Sequence, residues 1–223
     1  MLFRSYAKYI PGEDRKESWG EVVDRYMNFF RDYLRKKRNY EIEEFEYIRN
    51  CIYEQKVMPS MRCLLTSGPA LERSHIGAYN CSAVAMNNVT AFPEILLLLM
   101  NGTGVGFSVE RHFVDDLPLV PDSFTTSASH VIEDSKEGWY DALKVLIDNL
   151  FNGILTDFDI SKVRKKGEIL KTFGGFASGP EPLMELFNFT TSIFKNAHGR
   201  RLTSLECHDI MCKIGEVVVV GGV

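Results

Sequence analysis

The stretch from residue 79 to 110 constrains the possible fold more than any other part of the sequence. Residues 79–86 have the composition of a short buried strand, and residues 105–110 have that of a second one. Thr90 can cap a helix between them, which Asn101-Gly102 would end. Two strands joined through a helix lie parallel, because a tight hairpin connects only antiparallel neighbours. The sequence therefore predicts an α/β fold.

Two amphipathic helices are predicted before this unit. Apolar side chains recur at three- and four-residue steps from about residue 17 to 37, and the basic run Arg35–Arg38 stands where the helix dipole favours positive charge. The same spacing predicts a second helix over about 41–56. We therefore divide the chain into a helical N-terminal region, residues 1–57, which starts with a loose arm of about ten residues, and a second domain, residues 58–223.

The second domain is predicted to begin in turns and to continue as helices separated by polar loops. Met58-Pro-Ser-Met-Arg62 and Thr66-Ser-Gly-Pro69 are typical of turns and loops. The later elements are a polar, irregular stretch at 111–133, a helix from near Ser135, a basic glycine-rich loop at 161–179, a helix from Pro180 to about Gly199, and a last helix from the capping box Thr203-Ser-Leu-Glu206. The apolar run Val217–Val220 should lead into a further element, so we expect an incomplete protein or one piece of a split one.

Composition excludes several function classes. The 26 basic and 30 acidic residues give a formal charge of −4, which argues against a nucleic-acid coat with a basic face. The densest apolar stretch, Ile95–Met100, is far shorter than the roughly 20 residues of a membrane-spanning helix. The N-terminus turns polar at Arg4 and lacks the apolar core of a signal peptide. We therefore expect a cytoplasmic protein that binds neither nucleic acid nor a membrane.

Cysteine and histidine spacing indicates no metal site. Five cysteines in a chain without a signal peptide argue against a disulfide framework, and there is no CxxC pair to begin a zinc site. The five histidines are scattered without the spacing of a metal-binding pair. We therefore predict no metal, and we predict that Cys51, Cys207 and Cys212 are buried helical thiols.

The glycines of Asn101-Gly-Thr-Gly-Val-Gly106 do not indicate a dinucleotide site. A phosphate-binding loop needs a strand, then glycines, then a helix, so that amides at the helix N-terminus point at the anion. Here the predicted helix precedes the glycines and the predicted strand follows them. We reject dinucleotide binding, and we expect the glycines to let a ligand approach the backbone closely where the strand begins.

Two other features leave alternatives open. Cys81 stands between Asn80 and Ser82 on the first predicted strand, so it is either a redox or nucleophilic thiol or a core cysteine, and spacing alone favours the core. The loop at 161–179 combines five basic residues with Gly174-Gly175. That combination suits a phosphate-bearing ligand and a solvated surface equally well.

Seven strings, in order along the chain, resemble one family. They are Met58-Pro-Ser-Met-Arg62, Ser67-Gly-Pro-Ala-Leu-Glu-Arg73, Tyr79-Asn-Cys81, Gly102-Thr-Gly-Val-Gly-Phe-Ser-Val-Glu-Arg111, Val131-Ile-Glu-Asp-Ser-Lys-Glu-Gly-Trp139, Lys171-Thr-Phe-Gly-Gly-Phe-Ala-Ser-Gly-Pro-Glu-Pro-Leu183 and Leu202-Thr-Ser-Leu-Glu-Cys-His-Asp-Ile-Met-Cys212. They resemble the adenosylcobalamin-dependent ribonucleotide reductases, in particular the monomeric ribonucleoside-triphosphate reductases. The resemblance extends over nearly the whole chain from the Trp19 helix onward.

The resemblance implies a ten-stranded α/β barrel after a helical N-terminal region, with the two predicted strands as early barrel strands. It implies that Cys81 is one of two active-site thiols that reduce the substrate, which reverses the choice that spacing alone favours. It also implies substrate-binding roles for Ser60, Asn80 and the backbone of Gly104, Val105 and Gly106.

The resemblance further implies a specificity site for a deoxynucleoside triphosphate effector. Residues of about 111–200 resemble the insertion with which the monomeric enzymes complete this site within one chain. The candidate effector-binding residues are Arg111, Asp134, Lys136, Lys165, Lys166 and Lys171.

The implied activity is the reduction of ribonucleotides to deoxyribonucleotides for DNA synthesis by a thiyl-radical mechanism. The implied cofactor is adenosylcobalamin, and the implied partners are a ribonucleoside triphosphate substrate and a thioredoxin-type reductant. Family sequences continue into the second redox cysteine, the thiyl-radical cysteine and most cobalamin contacts. We therefore expect the isolated chain to be inactive and to need a complementing C-terminal fragment. The alternative is a non-catalytic deoxynucleotide-binding or assembly module derived from that family.

Overall fold

A computed structural model describes residues 6–10, 12–168 and 177–220. The chain forms two compact units, which divide between Asn80 and Cys81. The described strands form three separate two-stranded sheets, one antiparallel and two parallel, so the described residues close no barrel. Within the same ranges, no helix is both long and apolar enough to cross a membrane.

The first unit is a helical body with one short hairpin. Its elements are β1 (Tyr9–Ile10), β2 (Arg15–Lys16), α1 (Trp19–Arg38), α2 (Phe45–Tyr53), α3 (Met61–Thr66), α4 (Pro69–Arg73) and a 3-10 helix (His75–Ala78). The two predicted helices are confirmed as α1 and α2. The prediction of a loose arm is wrong for residues 6–10, because this stretch contains β1, which pairs with β2. Val23, Met27 and Ile52 form the core between α1 and α2.

Local signals fix both ends of α1. Ser18 and Glu21 form a capping box, in which the Ser18 hydroxyl accepts from the Glu21 amide at 3.3 Å and the Glu21 carboxylate accepts from the Ser18 amide at 2.7 Å. Asn39 ends the helix in the left-handed conformation, with φ of 50°. The basic residues 35–38 occupy the last turn, as the dipole argument predicts.

Arg25 connects three segments of the first unit. Its guanidinium donates to both carboxylate oxygens of Glu17, at 2.8 and 3.0 Å. It also donates at 2.9–3.0 Å to the carbonyls of Tyr6, Leu64 and Ser67. Both charged side chains are nearly buried, so the ion pair and the added hydrogen bonds offset the loss of water. The network ties α1 to the chain before β1 and to the end of α3.

The turns and loops predicted at 58–62 and 66–69 are present only at 58–60 and 67–68, and the remaining residues of both strings belong to two short helices that the sequence does not predict. Ser60 caps α3, and Pro69 occupies the first position of α4. These helices are six and five residues long, too short for an apolar period to reveal them. Packing against α1 and the 3-10 helix stabilises them instead. The predicted boundary after residue 57 therefore falls inside the first compact unit, between α2 and α3.

The second unit contains two strand–helix–strand units and a helical layer. Its elements are β3 (Cys81–Ala85), α5 (Ala91–Met100), β4 (Gly104–Ser108), α6 (Arg111–Val114), β5 (Thr125–Val131), α7 (Lys136–Phe151), β6 (Ile154–Asp159), α8 (Glu181–Asn196) and α9 (Ser204–Val220). Strand β3 pairs with β4 and β5 pairs with β6, both in parallel. The α/β class and the parallel pair predicted from residues 79–110 are confirmed.

The second parallel pair is where the sequence prediction is wrong. Strand β5 lies in the stretch 111–133, which is predicted to be irregular, and no strand is predicted at β6. Most residues of β5 are Thr, Ser or His, so it has no apolar alternation. A register shift between Thr126 and Ala128 further breaks the period of two. Pairing with β6 and packing of α7 override this composition.

The helices α5, α7, α8 and α9 form one hydrophobic core with the strands. Phe92, Leu143 and Ile214 are fully buried in it. The capping box predicted for the last helix is confirmed, since Thr203 Oγ1 accepts from the Glu206 amide at 3.2 Å and the Glu206 carboxylate accepts from the Thr203 amide at 2.8 Å. This core holds both strand pairs within a single unit.

Candidate functional site

The strands β3 and β4 present one exposed face made of small residues. In the parallel register Cys81 lies opposite Gly104, and Ala83 lies opposite Gly106. All four residues are exposed. We call these four residues the thiol face. It places one sulfur atom beside bare backbone, with no large side chain of the two strands between the sulfur and a molecule lying on the face.

The opposite side of the pair packs against the core. Val84, Val105 and Phe107 are partly buried there. The side chain of Val105 is therefore directed away from the thiol face, and only its backbone is available for the predicted substrate contact. Ser82 lies on the same inner side, and its hydroxyl is buried without a hydrogen-bond partner in the described structure. Inner packing fixes which side of the pair stays open.

Nothing in the described structure requires glycine at position 106. Its backbone is outside the left-handed region, unlike Gly102, whose φ of 77° serves the turn before β4. A Cβ at position 106 would meet only the Ser82 carbonyl oxygen, at 3.9 Å, which is ordinary contact. The missing side chain therefore leaves open space on the thiol face rather than relieving strain in the chain.

The segment that leads to Cys81 is held by α3 within the first unit. The Arg62 guanidinium and the Thr66 hydroxyl both donate to the Gly77 carbonyl, at 3.1 and 3.2 Å. Ser60 accepts from the Cys63 amide at 3.4 Å, so this predicted substrate contact also serves as the helix cap. Asn80 is exposed and directly precedes Cys81 in the chain.

A second group of polar residues lies where β5 and β6 end. Glu133 accepts from the Lys162 ammonium at 2.5 Å, and Asp134 accepts from the Arg164 guanidinium at 2.8 and 2.9 Å. Because parallel strands end at the same edge, the two loops bring two acids and two bases together. We call Glu133, Asp134, Lys162 and Arg164 the charged end. The hydrogen bond to Asp134 raises the pKa of Arg164, so the guanidinium stays charged.

Gly138 allows the charged end to pack closely against the first turn of α7. Ser135 caps this helix by accepting from the Gly138 amide at 2.9 Å. A Cβ at position 138 would lie only 2.3 Å from the Glu133 carbonyl oxygen, well inside any real contact. The backbone of Glu133 and the first turn of α7 therefore pack as closely as they do only because residue 138 has no side chain.

Comparisons with known proteins show which family the chain is similar to. Residues 108–194 match the family model described as the insertion domain of B12-dependent ribonucleotide reductase. A crystal structure of a B12-dependent (class II) ribonucleotide reductase superimposes with a TM-score of 0.87 and 25% identity, over 98% of this chain and 40% of that one. The chain is homologous to the N-terminal portion of these reductases. The match to residues 108–194 covers most of the predicted insertion at about 111–200.

Curated reductases give the same result. The adenosylcobalamin-dependent ribonucleoside-triphosphate reductase of Lactobacillus leichmannii is 30% identical, and the match spans 99% of this chain and 39% of that enzyme. A probable reductase of the same kind from Dictyostelium discoideum is 29% identical over 99% of this chain and 33% of its own length. A putative one from Mycobacterium phage D29 is 28% identical, with 99% and 37% covered. The chain thus spans between a third and two fifths of the reductases it matches.

The five cysteines of this reductase homologue differ in exposure, and all are free thiols. Cys207 is buried, and burial raises its pKa to about 12, which confirms the predicted helical thiol. Cys51 and Cys63 are partly buried, and Cys81 and Cys212 are exposed. The prediction of a buried thiol is therefore wrong for Cys212, which lies on the outer face of α9.

The six predicted effector residues are only partly brought together. Asp134 belongs to the charged end, and Lys136 is the first residue of α7 beside it. Arg111 begins α6, and Lys165 is exposed, with its amide donating to Glu168 at 3.2 Å. Lys166 lines a separate cleft between α8 and α9. Lys171, with Gly174 and Gly175 of the predicted basic loop, lies outside the described residues.

The sequence does not single out Arg164 or Gly138, which the structure brings to the charged end. Arg164 is one of five basic residues in a loop, and only the pairing of β5 with β6 distinguishes it from its neighbours. Gly138 follows Glu137 within a helix, where a glycine usually weakens the structure. The signal that finds both is three-dimensional, namely the shared edge of two parallel strands.

Proposed function

We propose that this chain forms the thiol-bearing part of an adenosylcobalamin-dependent ribonucleotide reductase and acts together with the remaining part of such an enzyme. The observation that supports the proposal is the thiol face, where Cys81 lies opposite Gly104 on an open surface of small residues. A ribose ring brought to such a face meets backbone and one sulfur atom. Close approach is what a hydrogen-donating thiol needs.

Cys81 acts in this proposal as one of two thiols that reduce the substrate. Removal of the 2′-hydroxyl as water takes two electrons and two hydrogens, which a pair of thiols supplies as it becomes a disulfide. The second cysteine belongs to the remaining part of the enzyme. A thioredoxin-type dithiol then reduces the disulfide and restores both thiols. The other proposed substrate contacts are Ser60 and Asn80 in the first unit and the backbone of residues 104–106 in the second.

The described residues do not form a site for adenosylcobalamin. The cleft beside Lys166 and Lys213 has a volume of about 260 Å³ and is lined by three glutamates, which suits neither the size nor the apolar surface of a corrin. The cofactor therefore belongs, in this proposal, to the remaining part of the enzyme, and we derive no step through it.

The free thiols support the proposal that the protein is located in a reducing compartment of the cell. All five cysteines are unpaired, although two of them are exposed. Secreted chains of this kind usually oxidise such thiols to disulfides. We place the protein in the cytoplasm, where a thioredoxin-type reductant is available.

The test replaces Cys81 in the completed enzyme. Cys81→Ser keeps the size of the side chain on an exposed position, so folding should be unchanged, but a hydroxyl cannot form a disulfide. We expect multiple turnover with a dithiol reductant to fall by on the order of a thousandfold or more. Cys51→Ser, at a thiol distant in sequence from the thiol face, is the matched control and should keep near-normal turnover. Normal turnover by Cys81→Ser would sink the proposed role.

The charged end supports a second role, the binding of a deoxynucleoside triphosphate effector. Its two cations stand beside the first turn of α7, where the helix dipole also favours an anion. An arriving triphosphate can replace the carboxylates of Glu133 and Asp134 as partners of Lys162 and Arg164. The non-catalytic binding module remains the second candidate function, because this role needs no residue of the thiol face.

Calorimetry on the 223-residue chain separates the two candidates. Deoxynucleotide binding by the isolated chain, together with turnover when the enzyme is completed, supports the reductase. Binding without any turnover in a correctly completed enzyme supports the module. If neither nucleotide binding nor turnover is found, both proposals fail.

A further inference from the structure

The helix α9 leaves one face open. Its inner positions, such as Cys207, Ile210 and Ile214, are fully buried in the core. Its outer positions include Leu205, which is 68% exposed, and Cys212. A Cβ built at Gly215, one turn beyond, would meet no atom within 4 Å. The outer face of α9 around Cys212 is therefore open to solvent.

An imidazole stands beside the exposed sulfur. The Cys212 Sγ atom lies 3.6 Å from Nε2 and 3.8 Å from Nδ1 of His208, one helical turn earlier. The His208 ring is in turn 3.4 Å from the Asp209 carboxylate and tilts against the Phe107 ring at a centroid distance of 5.8 Å. A thiol, a base and a group that orients the base are the parts of an activated cysteine nucleophile.

No other cysteine has this environment in the part of the chain that the structure describes. Cys207 is buried. The Cys63 thiol lies 3.9 Å from the Ala78 carbonyl, and the Cys51 thiol contacts the Tyr47 phenol. Cys81 is exposed, but no imidazole nitrogen contacts its sulfur among the described contacts. Among the described contacts, exposure and a neighbouring base therefore coincide only at Cys212.

We propose that Cys212 is a thiol-modification site that reacts with low-molecular-weight disulfides, with His208 as its base. His208 takes the proton from the thiol, and the Cys212 sulfur attacks one sulfur of the disulfide. The new bond joins Cys212 to that sulfur, the old disulfide bond breaks, and the second sulfur leaves as a thiolate that takes up the proton. The products are a mixed disulfide at Cys212 and one free small thiol, so atoms and electrons balance.

The test uses the 223-residue chain with oxidised glutathione as the probe. Modified peptides are quantified by mass spectrometry over time in a Cys81→Ser background, which removes the other exposed thiol. We expect Cys212 to react at least about tenfold faster than Cys51. His208→Gln keeps a polar side chain on the open face and should slow the reaction by roughly a hundredfold, the lower end of the usual contribution of a general base. Asp209→Asn should slow it by a smaller factor.

A second comparison, between the folded chain and the chain unfolded by urea, does not depend on whether the His208→Gln variant folds. In the chain unfolded by urea, the helical spacing between His208 and Cys212 is lost, and the rate at Cys212 should fall to that of Cys51. Circular dichroism checks that His208→Gln keeps its helices. The proposal is overturned if Cys212 and Cys51 react equally fast in the folded chain, or if folded His208→Gln reacts as fast as the parent.

Discussion

The two parallel strand pairs of the second unit share a scaffold but differ in what they present. Each consists of two strands joined by one helix, α5 between β3 and β4 and α7 between β5 and β6. The first pair exposes a face of small residues and one thiol. The second ends in two acids and two bases that neutralise each other. We call β3 and β4 the bare pair, and β5 and β6 the charged pair.

The two pairs also differ in what the missing side chain of a glycine does in each of them. At the thiol face, Gly106 leaves space outside the chain, since a Cβ there meets nothing closer than 3.9 Å. At the charged end, Gly138 removes a conflict inside the chain, where a Cβ would lie 2.3 Å from a carbonyl oxygen. The same residue type thus leaves open space on the surface of one pair and permits close packing in the other. Substitution to alanine distinguishes the two uses.

The largest expected effect is the contrast between these two glycines. Gly138→Ala forces the Glu133 backbone away from α7, and such overpacking lowers the free energy of unfolding by about 3 kcal/mol or more. Gly106→Ala introduces no steric clash in the folded chain, and it lowers the conformational entropy of the unfolded chain. The free energy of unfolding should therefore change by less than about 1 kcal/mol. Urea unfolding of both variants measures this directly.

The Gly106→Ala variant also tests the thiol face. Because the added methyl group fills open space on the thiol face, opposite Ala83, the completed enzyme should bind substrate more weakly although its stability is unchanged. Equal destabilisation by the two alanines, or unaltered substrate affinity in Gly106→Ala, would contradict the distinction between ligand space and packing space.

The next largest effect separates the two cations of the charged end. Arg164→Ala removes a fork that can hold a phosphate with two hydrogen bonds, and charge-assisted hydrogen bonds contribute roughly 1.5–3 kcal/mol each. We expect deoxynucleotide affinity to fall by at least about tenfold. Lys162→Ala, which removes a single exposed point charge, is the matched control and should cost less. Calorimetric titration compares them, and equal losses would remove Arg164 from its assigned role.

A smaller effect concerns α9, which packs on the connecting helix of the bare pair. Arg200 and the Thr203 cap lower the pKa of Glu206 to about 2 from its ordinary 4.5. A depressed carboxyl pKa stabilises the fold above about pH 4.5, and this contribution disappears as the pH falls towards 2. Glu206→Gln should remove about 1 kcal/mol at neutral pH, typical of a helix cap, and clearly less at pH 2, where about half of the Glu206 side chains in the folded state are protonated. A constant difference across this range would show that the cap is not ionic.

The smallest effect is expected in the predicted basic loop. Charge reversal at Lys165 and Lys166 places repulsion near the charged end without removing one of its hydrogen bonds. Because exposed charges are screened, deoxynucleotide affinity should fall only a few-fold, and the loss should shrink as salt is raised from 0.05 to about 0.3 M. Unchanged affinity at low salt would reduce these lysines to a solvated surface.

The bare pair was predictable from sequence, and the charged pair was not. Apolar strand residues, a capped helix and a terminating Asn-Gly predict β3, α5 and β4 with bounds close to those observed. The polar composition of β5 and its shifted register hide the second pair from any argument based on period. Cys81 could be selected only through the resemblance, because spacing alone favours a core cysteine. Arg164 needed the pairing of two strands that the sequence does not reveal.

Arg25, in the first unit, has a consequence for how that unit opens. Its one guanidinium serves the chain before β1, Glu17 and the end of α3, segments up to 42 residues apart from it in sequence. Release of any of these segments leaves a nearly buried cation with fewer partners, which weakens its hold on the others. Hydrogen exchange of the amides near Lys8, Glu17 and Ser67 should therefore give one common opening free energy, because these amides are exposed by the same collective opening rather than by separate fraying.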